Sequence, residues 1–466
     1  MRAAGASAPG AAQRVLQLPA ATRIAMLLAA AALGVTVASL PVLALALLLA
    51  APVLLLVVRR PEWILILFLT AGIYKQDPRL ARVLPLDVTM VTGGLLAVAV
   101  VIRVARRPLH VPAAALALLP LVAAVGLGLV SGAGEYGADK AMRFCTLTVL
   151  AIVAGCVLLE DRPSLVRFLW GLAVLGFLLS LDATQAEQTT SEGRLTAHGS
   201  SPIALARIGA LTLAFGWVRF HFARRPFDKL ACLGVLAVSC LCVLAAGSRG
   251  PLLSIVGGMM LISVVSAAHH GRSPLSMTSI LIVVGLGAAA VSLAAIPSLP
   301  LHRFQLLVSE DKGTSILLRG MMFATAWKLT LTHPLGIGVG GFERYALLDL
   351  KYPHNLFLEV GCELGWIPLL ALVGLIAWSL HTLFEVLRRE YRWTSMFLAL
   401  VVLTSFTNSM VTGDLNDNRL FFAVILLPFI YRRQMGLEAG TPRRGAARGL
   451  GGGAAGGGAA GPAAGV

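Results

Sequence analysis

The chain has 466 residues, of which 58% are hydrophobic and only 13% charged, and its mean hydropathy is +0.85. That balance lies far outside a soluble globular domain and describes a polytopic membrane protein. The formal charge of +16 does not point to nucleic acid, because the basic residues are scattered between apolar segments, many where a cytoplasmic leaflet would anchor them.

The first 21 residues are small and polar, and the apolar region after them is too long for a cleavable signal peptide, so the spans themselves direct targeting. A span needs about 20 apolar residues. Fourteen stretches approach this: 24–39, 42–58, 62–75, 86–105, 112–131, 141–159, 163–181, 202–220, 229–246, 250–268, 278–296, 362–384, 394–412 and 418–431. Several early ones are short, and the pairs around Pro41 and Pro61 read as broken or re-entrant helices. The expected fold is therefore an all-α bundle of about 12, within 12–14, transmembrane helices.

Arg59 and Arg60, Arg103 to Arg107, Arg219 to Lys229, Arg272, Arg388 to Arg392, and Arg432 with Arg433 all fall on one side if the segments alternate. The positive-inside rule makes that side cytoplasmic, although Lys75, Arg79 and Arg82 oppose it locally. The outer segments are then 76–85, 132–140, 182–200, 297–361 and 413–417. The expected organisation is a cytoplasmic N-terminal segment over 1–21, one transmembrane domain over 22–435, and a glycine- and alanine-rich, disordered cytoplasmic tail over 436–466. The six cysteines lack the spacing of a zinc site or disulfide framework and are expected to be free thiols.

The outer loop 297–361 is too long for an idle connection and has apolar periodicity, which marks it as ordered and functional. Thr314 to Leu331 predicts an amphipathic helix along the membrane surface, with Ile316, Met321, Phe323, Trp327 and Leu331 as its apolar content. Gly336 to Gly341 fits GxGxxG, but no strand precedes it, so the glycines predict a tight turn rather than a dinucleotide site. Tyr352-Pro353-His354-Asn355 follows, at the mouth of an apolar helix.

Of the nine histidines, His198, His302, His333 and His354 are assigned outside, and only His354 directly begins a span. With a reference pKa near 6.5 its neutral imidazole is a candidate proton acceptor. The plain alternative is an interfacial histidine beside an N-capping Asn355. Gly247-Ser248-Arg249-Gly250-Pro251 opens a span at its outer end, where a helix N-terminus and a guanidinium together suit a phosphate or diphosphate. Ser200-Ser201-Pro202 is a similar start, with Arg207 about five residues into the helix and Arg194 in the preceding loop. Arg207 either faces a cavity or snorkels. Arg319 lies on the amphipathic helix. Asp414, Asn416 and Asp417 could hold a divalent ion but more often such a loop only connects spans, so no metal and no cofactor are expected.

Together, Gly247-Ser248-Arg249-Gly250, Arg319 eight residues before Trp327, His333-Pro334-Leu335-Gly336-Ile337-Gly338, and His354-Asn355-Leu356-Phe357-Leu358 with Glu363-Leu364-Gly365 resemble the O-antigen ligase and polymerase family over about residues 245–385. The resemblance implies a C-type glycosyltransferase with about twelve spans and a periplasmic catalytic loop in the bacterial inner membrane. Such an enzyme moves a glycan from undecaprenyl diphosphate to an acceptor, with inversion and without nucleotide sugar or metal. It also implies that Arg249 and Arg319 bind the diphosphate and that His354 is the essential loop histidine; Arg207 and Arg194 join the expected site on physical grounds alone. The expected partners are the undecaprenyl-diphosphate-linked O-antigen donor, a lipid A–core acceptor and membrane lipids, with the chain a monomer. Polymerase and protein O-oligosaccharyltransferase differ from ligase only in acceptor; a lipid-linked glycan flippase is the alternative of another class.

Overall fold

The computed structural model describes residues 56–74, 87–107, 110–130, 134–186, 189–190, 194–197, 200–271, 314–346 and 351–436. The expected spans 24–39 and 278–296, most of 42–58, the loop 76–85, residues 297–313, His198, His302 and the tail from 437 lie outside the described residues.

The described residues form an all-helical bundle. In chain order its helices are α1 (Pro61–Tyr74), α2 (Val88–Arg106), α3 (Ala113–Leu127), α4 (Glu135–Leu158), α5 (Arg162–Ala186), α6 (Pro202–Phe222), α7 (Pro226–Ala245) and α8 (Arg249–His270). There follow α9 (Thr314–Thr332), α10 (Leu356–Leu364), α11 (Trp366–Arg389), α12 (Trp393–Ser409), α13 (Arg419–Val424) and α14 (Leu427–Gln434). Their starts are written in short polar and proline signals. Asp87 accepts from the Thr89 N–H at 2.7 Å, and Ser201 accepts from Ile203 at 3.3 Å with Pro202 in the first turn.

Seven of these helices, α2, α4 to α8 and α11, are long and apolar enough to cross a membrane, as expected of a polytopic membrane protein. Burial then sorts them. Of the most apolar 18-residue window, 72% is buried in α6 but only 22% in α7 and 28% in α2, so α6 is the central post and the other two line the periphery. Gly209 and Gly216 on α6 bring α7 close: a Cβ there would stand 3.0 Å from Val243 and 3.1 Å from Leu236.

Three boundaries differ from the hydropathy reading. Helix α4 starts at Glu135, inside the expected outer loop 132–140, because Lys140 is buried on acidic partners and need not reach water. The expected span 362–384 is two helices, α10 and α11, broken at Gly365 (φ 88°), where a Cβ would lie 2.5 Å from the Pro334 carbonyl oxygen. The expected span 418–431 is likewise α13 and α14, since Pro428 has no N–H with which to continue the helical ladder. Helix α9 forms as expected. Met322, Ala326 and Leu329 pack with Phe342 and Cys362, whereas Met321, Trp327 and Leu331 are exposed.

Ion pairs define one end of the bundle. Arg103 and Arg107 at the end of α2 reach Asp161, Arg433 reaches Glu160, and Arg162 meets Glu390 between α11 and α12. His221 at the end of α6 meets Tyr391, and His270 at the end of α8 bonds to the Leu387 carbonyl at 2.7 Å. The N-termini of α6 and α8 therefore face the opposite end.

Candidate active site

That opposite end gathers the start of α8, the first turns of α9, the residues before α10 and the segment between α12 and α13. Arg249 is the first residue of α8; its Nη1 is buried with no hydrogen-bond partner among the described residues. Arg319 lies one turn into α9, half-buried. Burial pushes its pKa below the usual guanidinium range, and the positive charge of Arg249 pushes it further down. Neither arginine has an ion-pair partner among the described residues. Two like charges held together at partial burial are unfavourable without a counter-anion.

His354 stands in the same field. Burial first and Arg319 second push its pKa down to about 4, while Asp414 acts in the opposite sense. Its Nδ1 is buried without a partner among the described residues, and its ring meets that of Tyr352 edge-on at 4.5 Å. It is also the non-glycine residue with positive φ (58°) among the described residues. Such a conformation costs about 1–3 kcal/mol and persists only where its surroundings impose it. Here Asn355 imposes it, by accepting from the Leu358 N–H at 3.0 Å and donating to the Met410 carbonyl at 3.0 Å. The N-cap role and the presented histidine are therefore one arrangement rather than alternatives.

The glycine turn is tight, as expected, and braces α10 from behind. Ile337 and Gly338 donate to the carbonyls of Cys362 and Glu363 at 2.9 and 3.0 Å. Gly336 (φ 81°) leaves no room for a side chain, because a Cβ would lie 2.4 Å from the Glu363 carbonyl. Trp366 Nε1 ties the same region to the Thr330 carbonyl of α9 at 2.7 Å.

The other two expected arginines have different surroundings. Arg207 Nη2 donates to the Thr412 carbonyl at 2.9 Å and bonds its hydroxyl, and Nη1 reaches the Asp417 carbonyl at 3.4 Å. It faces the protein, where with Thr404, Ser405 and Asn408 it lines a cavity of about 30 Å³, and does not snorkel. Asp417 and Tyr352 link it electrostatically to the histidine's surroundings. Arg194 lies behind Arg249: its Nε donates to Ala246 at 3.1 Å, beside the neighbouring Leu195 N–H to Ala245 bond at 3.0 Å, so it ties the outer loop to the end of α7. The structure thus brings together Arg249, Arg319 and His354, with Arg207 flanking and Arg194 behind.

Sequence reasoning missed the group that holds α10 in place. Lys140 Nζ lies 2.6 Å from both Glu359 and Glu363, and all three are buried. Glu363 also accepts from the Gly340 N–H at 2.9 Å, and Glu359 from Leu415 at 3.1 Å. Asn416 reaches back to the Lys140 carbonyl at 3.0 Å. One triad therefore links α4, the glycine turn, α10 and the 413–418 segment. Two carboxylates four residues apart on an otherwise apolar helix were the available signal, since such a pair demands a buried cation. Among the described residues no group of three or more His, Cys, Asp or Glu is arranged to hold a metal ion.

Residues 234–373 match the family model described as O-antigen ligase. Over this segment, less than half of the chain, the protein is similar to the O-antigen ligase family. Arg249, Arg319 and His354 all fall inside the segment, and Arg194 and Arg207 outside. At family level the match supports a glycosyltransferase-like function of the O-antigen ligase and polymerase type in envelope glycan assembly. A separate similarity, 31% identity over 120 residues, is to ATP synthase subunit a of Trichophyton rubrum; it covers 25% of this chain and 44% of that protein. The chain spans less than half of that relative, and so partial a match transfers no activity.

Proposed function

We propose that this chain is an O-antigen ligase: it transfers a glycan from undecaprenyl diphosphate to lipid A–core at the periplasmic face of the bacterial inner membrane, with about twelve spans and 297–361 as the catalytic loop. The observation that carries this reading is the placement of Arg249 beside Arg319, and of Arg319 beside His354, at the end of the bundle opposite the ion-paired belt and inside the matched segment. Two arginines without acidic partners among the described residues, one of them at the N-terminus of α8, suit a diphosphate whose charge grows as it leaves. The fork of each guanidinium supplies paired donors to phosphate oxygens.

The acceptor hydroxyl attacks the anomeric carbon opposite the diphosphate. The new glycosidic bond forms as the bond from that carbon to the diphosphate oxygen breaks, so configuration inverts and undecaprenyl diphosphate leaves with the electron pair. His354, neutral at physiological pH, takes the hydroxyl proton. The arriving diphosphate offsets the positive charge of Arg319 and so raises the basicity of the imidazole it will work with. Arg207 holds the 413–418 segment, with its two carboxylates, against the site.

The test is transfer by purified protein in detergent, given a lipid-diphosphate glycan and lipid A–core, without nucleotide and with chelator. Joined product supports the proposal. A flippase makes none, because detergent abolishes the two compartments; product formed only on a second lipid-linked glycan identifies a polymerase.

A further inference from the structure

At the ion-paired end, far from the site, a cavity of about 300 Å³ lies between the start of α1, the end of α2 and the start of α5. This volume is at the lower edge of the roughly 300–1,000 Å³ typical of small-molecule sites. Arg59, Arg103, Arg106, Arg107 and Arg167 line it, against two carboxylates, Glu62 and Asp161. The pairing is uneven. Arg167 is committed to Glu62 and to the Ser164 hydroxyl at 2.9 Å, and Arg103 and Arg107 share Asp161 at 3.4 and 3.9 Å. Glu160, just outside, is shared among Arg103, His110 and Arg433. Arg59 and Arg106 are exposed and have no acidic partner among the described residues. The acidic groups thus hold the inner arginines in place and leave the outer two available.

Apart from Ser164 the remaining wall is apolar: Val58 is exposed at its rim beside the half-buried Ile102, with Val57, Ala99 and Leu158 buried beneath them. Free phosphate has no use for such a wall, whereas a glycerophospholipid has, since its phosphodiester and its first methylenes need an arginine rim and an apolar floor side by side. The N-terminus of α1, fourteen residues long, points its positive end at the same space. Basic pockets between transmembrane helices are a recognised form of anionic headgroup site.

We propose that this cavity binds the phosphate of an anionic phospholipid headgroup, held by Arg59 and Arg106 and seated against the apolar wall. The site is independent of the transfer reaction and of the reading of that reaction.

The experiment uses the full chain in an uncharged detergent, titrated with phosphatidylglycerol, cardiolipin, phosphatidylcholine or inorganic phosphate, and reads bound lipid by native mass spectrometry together with Tm. Anionic lipids are expected to be retained and to raise Tm, with phosphatidylcholine and inorganic phosphate giving neither. Arg59→Gln with Arg106→Gln should weaken retention at least tenfold. Arg224→Gln with Arg225→Gln, which removes the same charge from the exposed turn between α6 and α7, should leave it unchanged. Equal retention of phosphatidylcholine overturns the proposal, and so does an equal loss in both double variants. An equal Tm rise with inorganic phosphate alone overturns the lipid assignment. If the first double variant does not fold, the lipid comparison in the unaltered chain decides.

Discussion

Two clusters of buried charge flank α10, and they are built on opposite principles. Behind the helix, Lys140, Glu359 and Glu363 close on one another at 2.6 Å and recruit backbone donors from two further segments. In front of it, Arg249 and Arg319 repel one another, and His354 keeps an unpaired ring nitrogen in a left-handed backbone. An ion-paired cluster fixes position even with one oxygen of each glutamate left unpartnered among the described residues, and a cluster of like charges suits an anion. The unfavourable front is tolerable because the back holds α10, and with it His354, against the field of the arginines.

The largest expected effect tests the front. His354→Ala should reduce glycan transfer by about 10²–10⁴-fold, the usual contribution of a positioned base. Carrier binding, measured by retention of a lipid diphosphate, should be nearly unchanged, because the proposed mechanism gives that task to the arginines. If the variant loses carrier instead, the histidine is a diphosphate ligand and the acceptor is activated by the arginine field alone.

The back should fail differently. Lys140→Met leaves two buried carboxylates without their cation, and breaking such a group costs about 3–5 kcal/mol. A marked fall in Tm in detergent is expected. Replacing all three, Lys140→Met with Glu359→Gln and Glu363→Gln, should recover much of it. A Lys140→Met protein with unaltered Tm but no activity would make the triad part of the chemistry and dissolve the contrast between the two clusters.

Lysine at Arg249 or Arg319 sharpens the same contrast on a smaller scale. The charge stays and the fork is lost, so about one charge-assisted hydrogen bond worth roughly 1.5–3 kcal/mol disappears. Transfer should fall about 10–100-fold with Tm unchanged. Arg249→Gln should not lower Tm either, since it relieves the repulsion on Arg319. A loss of folded protein in these variants would make the arginines structural.

How much of this was legible follows from which interactions are local. Helix starts such as Ser201-Pro202 and Ser248-Arg249 carry their own signals, and the glycine turn is readable because Gly336, Gly338 and Gly340 all need positive φ. The grouping of Arg249 with Arg319 and His354 was implied by the family resemblance and not by anything local to those residues. What hydropathy missed is long-range compensation. Lys140 reads as a loop residue until Glu359 and Glu363, more than 200 positions away, are brought against it, and then it belongs inside a helix. Arg207 was undecidable alone, because nothing near it in the chain announces Thr412 and Asp417.

The finest test is the pH profile, which reports the field at His354 directly. Its pKa is depressed to about 4, so the ring is neutral and able to accept a proton above that value and loses this ability as pH falls through it. The acid limb of kcat/KM, which reflects the free enzyme, should therefore lie near pH 4. The limb of kcat should lie higher, because bound diphosphate cancels part of the arginine field. Arg319→Gln removes a cationic neighbour and should move the kcat/KM limb upward, whereas Asp414→Asn removes the opposing anion and should move it downward. Both shifts should be smaller than the whole depression, since burial is its largest cause and neither substitution alters burial. Opposite movements in the two variants would tie the limb to His354; a limb that stays in place in both belongs to another group, and the base is then not this histidine.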